Sequence, residues 1–319
     1  GAAGFGEVSL LPRRAEAGEP RRAFVLTFKG DIQASQVNAL REEVTAVIRA
    51  ADPGRGDECV VVLSSGGGTV TGYGLAAAQL SRLKAAGIKL VIQVEQVAAS
   101  GGYMMACTAD VLHASPFAVL GSIGVISEQP NVYERLKKEG IEFTTVTAGK
   151  YKRTLTPTKK IDPKDMAKSE ADVKEILSLF KEFVGKNRPS LDIDNVATGE
   201  TWFGEQAVEK GLCDALMTAD DYLLKLADAG AEVFSIRYAP PPKAPSLAAL
   251  SASAASAATS VGVEAGALGG LRGALGSWLL SGAAPQPQGP GYYVADPMAG
   301  AERADSGVGG VGVDEWPDW

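Results

Sequence analysis

Two unbroken apolar runs, ECVVVLSS (58–65) and KLVIQV (89–94), each lead into small residues that open a helical pattern. An apolar run without alternation must be covered on both faces, which is the condition of a parallel strand inside a sheet flanked by helices. The preceding segment, AFVLTFKGDI (23–32), ends in a Gly-Asp turn and is followed by Val37, Leu40, Val44, Val47 and Ile48 on one helical stripe, closed by Pro53-Gly54. Gly66-Gly67-Gly68 opens the next helix, from Val70 to about Ala86, with Tyr73, Ala77, Leu80 and Leu83 on its inner face and Gly87 as its stop. Strand, turn and helix alternate at the spacing of βαβ units, so the chain reads as an α/β fold with parallel pairing. Its glycine turns then face one another at the C-terminal ends of successive strands, where such sheets place their sites.

The third unit carries VAASGGYMMACT (97–108), in which small residues pass into an apolar helix start with Ser100 at the junction. Beyond it, DVLHAS and FAVLGSIGVIS (110–127) continue the pattern, 130–139 reads as a helix, and IEFTTVTAG (141–149) as a strand leading to the basic loop KYKRTLTPTKK (150–160). A long helix follows, on which Val173, Ile176, Leu177, Phe180, Phe183 and Val184 make an apolar face wider than one core needs. After Asn187-Arg188-Pro189 come a turn, a short helix and a Gly211 stop within 198–216, a helix over 221–229 and a closing strand over 232–238. Pro240, Pro241 and Pro242 mark a boundary beyond which Ala, Ser and Gly dominate, too poor in bulky apolar residues to offset the entropy of ordering. The expected organisation is a flexible N-terminal segment (1–21), one folded domain (22–239) and a low-complexity, mostly disordered tail (240–319). Within the tail, 267–284 has the makings of a weak interfacial helix, although its glycines and Arg272 argue against a stable span.

The net charge of −7 gives no basic surface for nucleic acid, and the basic residues between Lys150 and Lys168 are interleaved with Asp162 and Asp165, so no nucleic-acid partner is expected. Cys59, Cys107 and Cys213 lie far apart without a CxxC pair and read as core thiols. His113 is the single histidine, which excludes a metal site of several histidines; no metal or organic cofactor is expected. The chain opens on Gly1 with a polar stretch, and no run reaches the roughly 20 apolar residues that cross a bilayer. Any membrane anchor is expected outside this sequence.

Ser100 would sit where a strand passes into a helix, with Gly101-Gly102 letting backbone or substrate approach its hydroxyl. Two readings compete: a plain N-cap, and a nucleophile whose developing oxyanion would meet free N–H groups. A nucleophile needs a base. His113 lies in the apolar VLHAS run and reads as structural, which leaves lysine, a known alternative to histidine in serine hydrolases. Since an exposed lysine amine is protonated near neutral pH, a lysine base must be desolvated or lie beside positive charge.

Taken in order, Ala99-Ser100-Gly101-Gly102-Tyr103, Gly121-Ser122-Ile123-Gly124-Val125 and Gly149-Lys150-Tyr151-Lys152 resemble the signal peptide peptidase A family of serine proteases, and FKGDI (28–32) and GYGLAAAQL (72–80) are closer to its SohB branch. The similarity covers about 22–238. It implies a crotonase- or Clp-protease-like α/β spiral of βαβ units with a Ser-Lys dyad. Carried over position by position, Ser100 matches the nucleophile and Lys152 the general base, with Lys150 the nearby competitor. Ser122 matches the hydroxyl that orients the lysine amine, and Gly67 and Gly68, with the amide of Gly101, correspond to the oxyanion hole. One departure stands out: the family's Ser-Pro-Gly-Gly turn is Ser65-Gly66-Gly67-Gly68 here, so the fixed φ of the proline is lost. TWFGEQAVEKGLCD (201–214) fits the family's C-terminal signature and is expected to pack the core.

The resemblance implies a serine endopeptidase acting on extended peptides, such as signal-peptide remnants or membrane-derived fragments. It further implies a homo-oligomer whose sites are completed between subunits, associated with a membrane through a segment absent from this chain. Two rivals remain at this level. One is a proteolytically inactive scaffold or regulator of the same fold, kept open by the altered Gly66 turn. The other is a crotonase-type acyl-CoA hydratase or isomerase, which needs acidic groups that the turns at 66–68 and 100–102 lack.

Overall fold

The computed structural model describes residues 18–240 and 291–295. Three parallel strands form its centre: β1 (Arg22–Gly30), β2 (Glu58–Ser65) and β3 (Lys89–Ala99), with β2 in the middle. Successive side chains on a strand point to opposite faces, so the continuous apolar runs feed two layers. On one face Phe24, Leu26, Phe28, Val61 and Leu63 meet Leu40, Val44 and Val47 of α1 (Val37–Ala50) and Ala76, Leu80 and Leu83 of α2 (Val70–Ala85). On the other, Val25, Val60 and Val91 pack beneath Tyr222 and Leu226 of α8 (Ala219–Asp228).

β3 is long enough to serve two neighbours. Its first half, from Val91 to Val94, pairs with β4 (Val111–Ala114), and its last residues, Val97 to Ala99, pair with β5 (Val119–Gly121). The sheet thus divides at β3, and the α/β spiral implied by the sequence resemblance is the fold observed. β5 continues antiparallel into β6 (Thr201–Phe203), β4 pairs with β7 (Ala215–Leu216), and β8 (Glu232–Ala239) lies parallel to β1. Short helices α3 (Gly101–Ala106), α4 (Tyr133–Lys138), α6 (Ile193–Val196) and α7 (Gly204–Glu209) and the long α5 (Pro163–Asn187) complete the order. Cys59, Cys107 and Cys213 are buried free thiols, as expected; burial pushes Cys107 up to about 12 and Cys213 up to about 11.

Several expectations need correction. β3 runs to Ala99 rather than stopping at Val94, because its second half finds a partner in β5. The expected strand at 141–149 does not form: Ile141, Phe143 and Val146 are exposed, and no strand among the described residues lies beside them. Along α5 only Phe180 and Val184 are buried, so most of its apolar face is left for another use. The segments 1–17 and 241–290, including the helix considered at 267–284, lie outside the described residues. Within the tail, a strand is described at Gly291–Ala295. Among the described residues, no helix is long and apolar enough to cross a membrane.

Candidate active site

β2, β3 and β5 end side by side, with Ser65 paired to Ala98 and Ala99 paired to Gly121. The three turns that follow, at Gly66, Ser100 and Ser122, therefore open onto one cleft of about 890 Å³. Gly67, Gly68, Ser100, Gly101 and Ser122 all line it. The rest of the lining carries no charged side chain; it includes Ile32, Val70, Met104 and Val125, together with Ile176 and Phe180 of α5. The apolar face of α5 that the core does not use is thus a wall of this cleft.

Ser100 has φ 51° and ψ −118°, a conformation that a residue with a side chain rarely adopts. Its own N–H is held by the Gly121 carbonyl at 2.8 Å, which fixes the turn to the end of β5. Its hydroxyl makes no cap hydrogen bond to α3, so the plain N-cap reading does not hold. A strained turn that presents an unused serine hydroxyl between a strand and a helix is the arrangement used to expose nucleophiles. Ser122 has φ 50°, and its N–H is held by the Glu200 carbonyl at 2.6 Å.

Gly67 has φ 88°, and a Cβ there would stand 2.6 Å from the Gly101 nitrogen, so only glycine lets the two turns touch. The Gly67 N–H donates to Ser65 Oγ at 3.1 Å. That amide is therefore engaged within the turn. The Gly68 N–H makes no hydrogen bond among the described residues. Gly101, the first residue of α3, has an N–H with no partner inside its helix.

Lys152 is not brought into this group. It is exposed on a tight turn closed by its N–H to the Gly149 carbonyl at 3.2 Å, outside the cleft lining. Arg153 braces the loop through Thr156 Oγ1 at 3.1 Å and Thr158 Oγ1 at 2.9 Å, and Asn131 donates to the Lys159 carbonyl at 2.9 Å. The competitor Lys150 has its amine 4.9 Å from the centre of the Tyr151 ring. A hydrogen bond to Tyr151 holds the Lys150 pKa above its ordinary value, the wrong direction for a base. His113 is buried on β4, with Nδ1 2.9 Å from Gln93 Nε2 and its ring 5.4 Å from that of Tyr222. Burial pushes its pKa down, and it is structural, as expected. The residues that sequence reasoning missed are Ser65 and the hydroxyl of Tyr73; the available signal was a tyrosine on an inner helix face, whose buried hydroxyl requires a partner.

Two family models match along the chain. Peptidase family S49 matches residues 82–233, and peptidase family S49 N-terminal matches residues 12–80. The chain belongs to peptidase family S49. Among similar proteins, the probable protease SohB of Haemophilus influenzae is 50% identical over 202 residues, covering 63% of this chain and 57% of the relative. The probable protease SohB of Buchnera aphidicola subsp. Schlechtendalia chinensis is 49% identical over 201 residues, covering 63% of this chain and 65% of the relative. The chain therefore spans 57% to 65% of the length of these two relatives.

Proposed function

We propose that this chain carries the hydrolytic domain of a serine endopeptidase that cleaves extended peptides through Ser100 and Lys152. The observation that carries the reading is the strained Ser100 turn, whose uncapped hydroxyl shares a cleft with the amides of Gly68 and Gly101. In this scheme Lys152 takes the proton from Ser100 Oγ as the oxygen attacks the scissile carbonyl, while Ser122 Oγ orients the lysine amine. The carbonyl oxygen, now negative, accepts hydrogen bonds from the Gly68 and Gly101 N–H groups. Collapse expels the amine, which takes the proton from lysine, and leaves an acyl-Ser100 ester. The neutral lysine then deprotonates a water molecule that attacks the ester carbonyl; the Oγ–acyl bond breaks, the lysine returns the proton to Ser100 Oγ, and the acid product leaves. The scheme uses no metal or organic cofactor.

Because Lys152 lies outside the cleft lining, we assign its amine to the site of a second copy of the chain. Support comes from the adjoining segment, where Ile141, Phe143, Val146 and Tyr151 are exposed apolar side chains of the kind an interface covers. From the uncharged, apolar lining of the cleft we infer apolar peptide segments as substrates, such as signal-peptide remnants or other membrane-derived fragments, and with them work at a membrane surface.

The test is labelling of purified, assembled protein with a fluorophosphonate, compared with Ser100→Ala and Lys152→Ala. Labelling of the unmodified chain alone supports the dyad. Labelling that survives Lys152→Ala but is lost in Lys150→Ala reassigns the base. A folded, assembled protein that does not label is the inactive scaffold of the same fold.

A further inference from the structure

At Gly66 itself nothing packs on the glycine turn beside Ser100, since no atom lies within 4 Å of where a Cβ would stand, while beyond it the turn is tied by the Thr69 N–H to the Ile32 carbonyl at 2.8 Å. A further restraint comes from below. Tyr73, fully buried in the first turn of α2, donates from Oη to the Asp31 carbonyl at 2.7 Å and lies 2.5 Å from Ser65 Oγ. A phenol has one proton, and the carbonyl can only accept, so the Ser65 hydroxyl must be the donor to Tyr73. Ser65 Oγ in turn accepts the Gly67 N–H at 3.1 Å. The polarity of the chain is thereby fixed from Gly67 N–H through Ser65 and Tyr73 to Asp31, and each bond polarises the next. Burial pushes the Tyr73 pKa above its ordinary value, so the phenol keeps the proton it donates. Gly30 makes room for the pair, since a Cβ there would stand 2.4 Å from both oxygens. The same tyrosine ring packs on the opposite turn: a Cβ at Gly101 would stand 2.4 Å from Tyr73 Cγ.

We propose that Ser65 and Tyr73 are positioning residues that set the spacing between the Gly68 and Gly101 amides, Ser65 by holding the Gly67 peptide and Tyr73 by bracing both turns at once. The proposal rests on the reading of those amides as oxyanion donors. It supplies the restraint that a proline in place of Gly66 would provide locally. Tyr73→Phe keeps the ring on Gly101 and removes only the hydroxyl, leaving the Asp31 carbonyl with the Ala34 N–H at 3.0 Å as its remaining donor and Ser65 free to turn.

Two measurements on the assembled full chain test this. The first is amide hydrogen exchange over 65–72 and 100–103, which needs no catalysis. Tyr73→Phe and Ser65→Ala should each speed exchange in these stretches and leave α1 and β1 unchanged; unchanged exchange at the turns overturns the proposal. The second is steady-state cleavage of an apolar peptide with inhibition by a peptide boronate, whose tetrahedral adduct places an oxygen in the hole. Each variant should lose kcat by roughly 10- to 100-fold and weaken the boronate by a similar factor, with KM within about twofold. The double variant should lose no more than the worse single one, because either change breaks the same chain. A variant with lower thermal stability but unaltered kcat and boronate affinity shows a structural role only and overturns the proposal; Ser65→Ala serves if Tyr73→Phe does not fold. If the unmodified chain neither cleaves peptides nor reacts with a fluorophosphonate, the hydrolase reading falls, and the exchange measurement alone decides whether the strut holds the turn.

Discussion

Ser100 and Ser122 leave neighbouring strand ends with almost the same backbone twist, φ 51° and 50°, directly after the paired residues Ala99 and Gly121. Two adjacent residues in a region that disfavours side chains cost of order 1–3 kcal/mol each, and such a cost persists where the surroundings impose it. Here the imposition is visible, because the Ser100 N–H is tied to Gly121 and the Ser122 N–H to Glu200.

Ser100→Gly should therefore separate stability from activity. Glycine accepts φ 51° without the Cβ penalty, and the serine hydroxyl it removes caps nothing. The variant is expected to melt about 2–4 °C higher for each ~1 kcal/mol of relieved strain, while losing all fluorophosphonate labelling. Differential scanning calorimetry and probe labelling on the same sample check both halves; a lower melting temperature would show that Ser100 is not strained.

Gly67→Ala is expected to act in the opposite direction. A methyl group there meets the Gly101 nitrogen at 2.6 Å and the Ala99 carbonyl oxygen at 2.7 Å, both backbone, and φ 88° adds strain. Overpacking of this kind costs roughly 1–3 kcal/mol, and because the turns are pushed apart, labelling should fall further than the folded fraction does. Gly66→Ala is the contrast: its Cβ meets no atom within 4 Å, so its stability should change by less than about 0.5 kcal/mol in urea unfolding.

The parts of this molecule that were legible in the sequence are those governed by local pattern. Glu58–Ser65 and the start of α2 at Val70 are read directly from an apolar run and a glycine turn, and both stand where expected. Ser100, Ser122 and the glycines converge because parallel register carries successive strand ends to one edge, a rule that needs no side-chain detail. What local pattern does not carry is partnership. IEFTTVTAG has the composition of a strand, yet a strand exists only beside another, and none of the described strands lies there. The resemblance assigns Gly67 to the oxyanion hole, and Ser65 Oγ accepts its N–H, a contact that no local pattern announces. Lys152 is assigned by motif alone, and in the single chain it lies outside the cleft that Ser100 lines.

His113 gives a pH dependence whose sign follows from burial. Its folded pKa lies below the ordinary value of 6.5, chiefly through desolvation, and the groups around it are Gln93, Tyr222, Asp214, Lys225 and Lys89. The unfolded chain then binds a proton near pH 6.5 that the folded chain refuses until lower pH. Its contribution to stability is complete above about pH 6.5 and is lost as pH falls from there toward the folded pKa. Urea midpoints at pH 7, 6 and 5 should decline less steeply in His113→Gln than in the unmodified protein. Parallel slopes would mean that the imidazole is not held neutral.

A site shared between copies predicts rescue in mixtures. Ser100→Ala keeps Lys152 and Lys152→Ala keeps Ser100, so each is inactive alone under the proposed dyad. If the serine and lysine of one site come from different chains, a co-assembled equal mixture places an intact serine against an intact lysine in half times half of the sites, about a quarter of the unmodified activity. A dyad within one chain gives no recovery, since each chain then lacks one partner wherever it sits. Val146→Asp and Phe143→Asp sharpen the argument, because both side chains are exposed in the single chain and their replacement should leave the melting of the monomer unchanged. Charges buried in an interface oppose association, so these variants are expected to lower the assembled mass in sedimentation and to lower labelling with it. Full labelling of a monomeric Val146→Asp protein would place Lys152 in its own chain's cleft and remove the shared site.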